Sequence, residues 1–207
     1  MNSIQLSGII RDIQPSHTIG DVSYDKANII VKRDDGKEDI LNIRFKSLSN
    51  KYKNNDRVDL IGNIRSYSSK LKNGKNKVDI YVFTYFDQPD CSLIQDELPA
   101  QNKVTIDGRI CKIDPIRTFS NRKKNIHFIL ANNLIVSDNQ QKLNSYIPCI
   151  AWGNVADRLS KLGVNSKIII DGHLQSREYK KILDDNSCEI RVAHELYVVD
   201  FKEDLSN

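Results

Sequence analysis

The sequence predicts an all-β protein made of two tandem copies of one five-stranded Greek-key barrel, and three observations carry that expectation. The chain repeats itself: Ile4-Gln-Leu-Ser-Gly-Ile-Ile-Arg-Asp-Ile is echoed by Val104-Thr-Ile-Asp-Gly-Arg-Ile-Cys-Lys-Ile, which sets Gly8 on Gly108. Arg57-Val-Asp-Leu-Ile-Gly-Asn-Ile-Arg-Ser is likewise echoed by Lys167-Ile-Ile-Ile-Asp-Gly-His-Leu-Gln-Ser, which sets Gly62 on Gly172. Second, the apolar residues of these segments alternate or run unbroken, as in strands buried on one or both faces. Third, the four repeated glycines sit inside otherwise apolar strands. Glycine there costs stability unless the strand bends sharply or another backbone comes close.

The elements follow in order. In the first copy the strands are expected at about 3–13, 26–33, 38–46, 57–67 and 76–86, with Asp34-Asp-Gly-Lys37 as a tight hairpin turn. In the second copy they are expected at about 102–113, 124–133, 145–152, 165–177 and 187–199. Ile168, Ile169 and Ile170 mark the fourth of these as a strand buried on both sides. A short helix is expected between the third and fourth strands of each copy, most plainly over 154–162. Five bent strands with a small helix in that position describe the OB fold. The chain of 207 residues divides into a divergent first OB unit (1–87), a linker (88–101), a second OB unit (102–200) and a short tail (201–207).

Charge follows the same division. The net charge is +4, made of +4 on residues 1–87, −3 on 88–100 and +3 on 101–207. The positive charge therefore belongs to the folded units and permits a polyanionic partner. No stretch approaches the roughly 18 apolar residues of a membrane span, and the first residues lack a charged leader before an apolar run, so a cytoplasmic protein is expected. Cys91, Cys111, Cys149 and Cys188 lie far apart without metal-ligand spacing and are read as reduced thiols. His17, His127, His173 and His194 are scattered, Asp184-Asp185 reads as a turn, and no phosphate loop, His-Glu-x-x-His or nucleophile elbow is present. Neither an enzyme nor a cofactor is expected.

The second copy resembles the bacterial single-stranded DNA-binding protein family over roughly residues 101–199. The carriers are Asn102-Lys-Val-Thr-Ile-Asp-Gly-Arg-Ile, Asp114-Pro-Ile-Arg117, Phe128-Ile-Leu-Ala-Asn, Tyr146-Ile-Pro-Cys-Ile-Ala-Trp-Gly-Asn-Val-Ala-Asp-Arg-Leu and Gly172-His-Leu-Gln-Ser-Arg-Glu-Tyr179, in the family's order and spacing. The first copy keeps only the skeleton. The resemblance implies that bases stack on Tyr146, Trp152 and Tyr179, since every base has a π face and stacking needs no base-edge readout. Tyr146 and Trp152 are six apart and share a strand face if that strand has no bulge. In the first copy Phe45 aligns with Trp152, and both a stacking and a core role are open for it; Tyr67, Tyr24 and Tyr52 are alternatives there.

Basic residues gather on the first strand, the loop after it and the strand-four hairpin of the second copy: Arg109, Lys112, Arg117, Arg122, Lys123, Lys124, Arg177, Lys180 and Lys181. The corresponding hairpin of the first copy offers Lys70, Lys72 and Lys75. These are expected to meet phosphates. The expected function is single-stranded DNA binding with little sequence preference, in replication, repair or recombination. An interaction module of the primosomal replication type and an RNA-binding OB protein are the alternatives. The resemblance also implies a homodimer, because family assemblies usually present four OB folds. Family members usually carry a long tail with an acidic tip that recruits replication and repair proteins. This sequence stops at Asp200-Phe-Lys-Glu-Asp-Leu-Ser-Asn207, so recruitment of replication or primosome proteins is not expected to use such a tip.

Overall fold

The computed structural model describes residues 1–47, 52–70, 76–84, 92–93, 101–136, 141–182 and 187–204. In the first copy the strands are β1 (Asn2–Ile19), β2 (Val22–Lys32), β3 (Glu38–Lys46), β4 (Arg57–Lys70) and β5 (Asn76–Thr84). A two-residue strand β6 (Ser92–Leu93) follows. The second copy holds β7 (Asn102–Ile113), β8 (Arg117–Thr118), β9 (Lys124–Val136), β10 (Gln141–Trp152), the helix α1 (Gly153–Leu159), β11 (Lys167–Ile182) and β12 (Cys188–Glu203). The helix shows no membrane-spanning length or apolarity.

In each copy the ladder returns to its starting strand. The first runs β1-β2-β3-β5-β4 and closes through β4 on β1; the second runs β7-β9-β10-β12-β11 and closes through β11 on β7. The β3–β5 and β10–β12 pairs are parallel and the rest antiparallel. That combination is the strand order of a Greek key closing on itself.

Inward residues alternate with outward ones along each strand, so the cores are filled by Ile, Leu and Val at every second position. Ile4, Leu6, Ile10, Ile29, Leu41, Ile43, Leu60 and Ile64 are fully buried in the first copy, and Ile106, Ile110, Leu130, Ile147, Ile168 and Ile170 in the second. The repeated glycines meet neighbouring backbone. A Cβ on Gly62 or Gly108 would lie 2.5 Å from the carbonyl oxygen of Phe83 or Ala131, and one on Gly8 or Gly172 would press harder still on that of Ile30 or Tyr197.

The two copies join through their first strands. Antiparallel pairing of Asn2–Leu6 with Asn102–Ile106 makes one continuous twelve-stranded sheet. The junction is a near two-fold. Beyond the Ile4–Gly62 pair, the Asn2 side-chain amide takes over the ladder, donating to the Ile64 carbonyl (2.8 Å) and accepting from its N–H (2.8 Å). Asn102 does the same with Leu174, at 2.7 and 3.0 Å. Further out, the Ser66 hydroxyl accepts from the N–H of Tyr146 (2.7 Å), and the Ser176 hydroxyl accepts from the N–H of Ile40 (2.9 Å). On one side Arg33 also ion-pairs with fully buried Asp39, whose carboxylate accepts from the Ser176 N–H (2.6 Å).

Several features differ from the sequence expectation, the short strand β8 among them. β1 and β2 run out as a long hairpin to Gly20, adding residues 14–25 to the expected strands; Pro15, His17 and Asp12 (φ 57°) sit where the register shifts. Part of the expected linker is a strand, for Leu93 and Ser92 pair with Val58 and Asp59 of β4. Phe201 is buried, so the core reaches into residues read as tail. The helix of the second copy is present, whereas its counterpart in the first copy falls on a stretch of which 48–51 lie outside the described residues. The rest of the expected linker and Asp184-Asp185 also lie outside them.

Two outcomes follow for stability. Gly172→Ala should cost about 1–3 kcal/mol by forcing β12 away from β11, read as a lowered urea midpoint; an unchanged midpoint would show that the strands separate freely there. His194 lies in the inter-copy contact, where Nε2–H donates to the Ile40 carbonyl (2.8 Å) and Nδ1 faces the Asn42 amide (3.4 Å), the pattern of a neutral ring. Burial holds His194 and His173 below the usual 6.5. The unfolded chain thus binds these protons more readily, so stability is full above that value and falls as the pH drops through it. Urea midpoints measured from pH 8 down to about pH 5 should decline, and His194→Gln should flatten the decline; an equal decline in the variant would acquit His194.

Candidate nucleic-acid interface

The third and second strands of the second copy build an outward face in register. β10 and β9 pair without interruption from Gln141–Val136 to Trp152–Asn125. Ser145, Ile147, Cys149 and Ala151 are buried toward the core, which turns Tyr146, Pro148, Ile150 and Trp152 outward together. Tyr146 is 45% exposed and Trp152 is half-buried. The two rings expected to share a face do share one.

A bulge aims the cations at the same face. Arg109 pairs with Ala131 and Lys112 with Ile129, while Cys111 is the extra residue between them. Without it, residues three apart would point to opposite sides. Next along, Arg117 pairs with Asn125. The face is therefore made of rows: Arg109–Ala131–Tyr146, Lys112–Ile129–Pro148, and Arg117–Asn125–Trp152. Lys112, Asp114, Arg117, His127, Ile129 and Pro148 line a shallow cleft along it. Buried Asn125, in the Trp152 row, leaves its Oδ1 without a hydrogen-bond partner among the described residues.

Phe119 was not among the residues singled out in the sequence. It stands in the turn closed by hydrogen bonds between Phe119 and Lys123 (2.8 Å) and between Arg122 and Phe119 (2.9 Å). Its ring, 45% exposed, stacks on Trp152 with centroids 5.7 Å apart and planes at 23°. The available signal was an aromatic residue set in a polar loop between Arg117 and Arg122.

The remaining expected contacts divide. Lys112 pairs with Asp114 (3.1 Å), Lys124 with Asp157 of the helix (2.7 Å) and Arg177 with buried Glu195 (3.5 Å), so their charge is partly spent within the fold. Arg109 donates to the Asn165 carbonyl (3.1 Å). Arg117, Arg122, Lys123, Lys180, Lys181 and Lys70 make no ion pair among the described residues. Tyr179 stands on a separate arm, the β11–β12 hairpin, half-buried opposite Arg191 and 5.9 Å from the Arg177 guanidinium. Lys72 and Lys75 lie outside the described residues.

A model of the single-strand binding protein family matches residues 101–201. The match spans the second copy almost from end to end. A protein of Streptococcus agalactiae serotype V, named single-stranded DNA-binding protein 2, is 28% identical over 82 residues, which are 39% of this chain and 63% of the relative. The chain thus matches under two thirds of that relative's length. The wild-type single-stranded DNA binding protein from Thermus aquaticus has the same fold across both copies: TM-score 0.71 at 14% identity, covering 100% of this chain and 94% of that one. A deletion variant of the same protein gives 0.72 at 14% identity, covering 100% and 96%. The family is one of binding proteins rather than enzymes.

Against the second copy the first can be placed residue by residue, and Phe45 needs correction. Ile64 and Leu174 oppose Val82 and Leu196, which in turn neighbour Ile43 and Cys149. Phe45 therefore corresponds to Ala151, not to Trp152; Lys46 holds the Trp152 position and Ile40 the Tyr146 position. Phe45 is 3% exposed and sits in the core. A slip of one residue reverses the face of a strand, which is why an alignment by residue type misplaced it. Phe45→Ala should cost about 3–5 kcal/mol of stability, and Lys46→Ala close to none, by chemical denaturation. An unaltered midpoint with lost nucleic-acid affinity in Phe45→Ala would return the ring to a stacking role.

Proposed function

We propose that the chain binds single-stranded DNA with little sequence preference, in replication, repair or recombination, using the outward face of the second copy. The observation that carries this is the row arrangement: Tyr146 and Trp152 on one edge, with Arg109, Lys112 and Arg117 across the same face. Unpaired bases stack on flat rings held at the surface, and phosphates follow the cationic edge. Duplex DNA keeps its bases stacked inside and offers such rings nothing. Phe119, stacked on Trp152, is assigned to the same stacking surface. Tyr179, with Arg177, Lys180 and Lys181, extends the path along the β11–β12 hairpin, while Arg122, Lys123 and Lys124 border it at the turn beside Phe119. Lys70, with Lys72 and Lys75, is assigned the same phosphate role on the first copy's hairpin.

In this reading the chain comprises two OB barrels (residues 1–87 and 102–200) joined by residues 88–101. Two chains assemble as a homodimer to present four barrels. The chain is assigned a cytoplasmic role beside replication or primosome proteins, without a membrane partner.

Trp152 is the single tryptophan of the sequence, so its fluorescence reports the face directly. Titration with oligo-dT should quench it, and affinity should fall with salt at a slope of about −0.7 per phosphate neutralised. Trp152→Ala should lose about 1–3 kcal/mol of binding with little change in the unfolding midpoint. Equal affinity for duplex and single strand would overturn the proposal, and preference for oligo-rU over oligo-dT would turn it toward RNA.

A further inference from the structure

The β11–β12 hairpin is an arm with two unlike sides. Its rungs pair Ser176 with His194, Glu178 with Val192, Lys180 with Ile190 and Ile182 with Cys188, with no register shift between them. Alternate positions of a strand share a side, so these residues stand on one side and Arg177, Ala193, Tyr179, Arg191, Lys181 and Glu189 on the other. The second side carries its own cover, for Arg191 ion-pairs with Glu189 (2.7 Å) across from half-buried Tyr179. The first side is open. Ile182 is 69% exposed, Ile190 64% and Val192 40%, with Cys188 exposed beside them.

The base of the open side is already a docking surface. There the Ser176 hydroxyl accepts from the Ile40 N–H, and His194 donates to the Ile40 carbonyl. The Ile40 side chain is itself exposed on the outward side of β3. Apolar residues thus run on from the contact between the copies along the arm, through Val192 and Ile190 to Ile182. The hairpin does not need them in order to form. The corresponding arm of the first copy pairs Ser66 with Ile80, Ser68 with Val78 and Lys70 with Asn76. It closes the same rungs with Asn76 in the place of Ile190, and its Val78, in the place of Val192, is half-buried. Branched apolar side chains left in water on one arm, where the same frame is built with an amide on the other, mark a contact surface.

We propose that a second copy of the chain docks on this side of the arm, arm against arm about a two-fold axis. The inference rests on the homodimer proposed above and names its contact. Besides the continuity with the contact between the copies, two observations select a second copy. The charge is self-complementary: Glu178 and Lys180 occupy neighbouring rungs, and neither has an ion-pair partner among the described residues. Antiparallel arms centred between those rungs set each Glu178 against the partner's Lys180 and each Ile190 against the partner's Val192. The apolar side also occurs on one of the two arms, and a self-complementary patch carried once per chain closes after two chains rather than running on as a filament. The contact takes Lys180 from the phosphate path and leaves Arg177, Tyr179 and Lys181 on the opposite side.

Mass in solution is followed by light scattering over a dilution series, since one side of an arm is small beside the roughly 20–30 residues a side of a standard interface. The unaltered chain should pass from one chain to two as concentration rises. Ile190→Asp, which enters a two-fold contact twice, should raise the dissociation constant about hundredfold, while keeping its urea midpoint and the oligo-dT quenching of Trp152. Glu178→Lys alone should raise the constant about tenfold by setting like charges opposite one another, and adding Lys180→Glu should restore it. A dimer that keeps its dissociation constant in Ile190→Asp, or a charge reversal that the second substitution fails to rescue, overturns the proposal and leaves the homodimer to another surface. An unaltered chain that stays single at every concentration overturns the homodimer itself and this inference with it, and turns the open side toward a different protein.

Discussion

The antiparallel ladder between the first strands of the two copies is the contact on which the rest depends. It is centred on Ile4 opposite Val104 and carries each barrel's opening strand into the other's sheet. Because β1 and β7 also close their own barrels, the strands that seal the two cores are the strands that join them. Asn2 and Asn102 make this possible. Each finishes the closing ladder with its side chain where the backbone has turned to face the other copy, so the peptide groups of Ile64 and Leu174 stay paired.

The near two-fold then sets where the faces lie. Ser66 and Ser176, each on the fourth strand of its copy, bond the third strand of the other copy at matching places. The outward side of β10 thus ends beside β4, and that of β3 beside β11.

Much of this architecture was legible in the sequence because it rests on local pattern. The repeat, the paired glycines and the alternation of apolar residues fix strand positions, and Asn102–Ile113 was placed at its observed limits. The long β1–β2 hairpin was not legible, since Pro15, His17 and the register shifts break the alternation that marks a strand. The site was legible where spacing alone decides the face, as for Tyr146 and Trp152. It was lost where a single residue of register matters: Phe45 went inward, and the bulge at Cys111 brought Arg109 and Lys112 together in a way no periodicity reveals. Phe119 escaped notice because its partner Trp152 is distant in sequence and meets it only through the fold.

The buried pair between Arg33 and Asp39 has a counterpart position in the second copy, and there the residue is Ser145. In an assembly of identical chains every such position is filled twice by the same side chain, so a charge introduced at one contact is forced upon its mirror image. Covalent tandem copies escape that obligation. One contact here carries an ion pair and at the other a neutral serine holds the carboxylate's position, and the same freedom lets the two faces adopt unlike chemistries within a single frame.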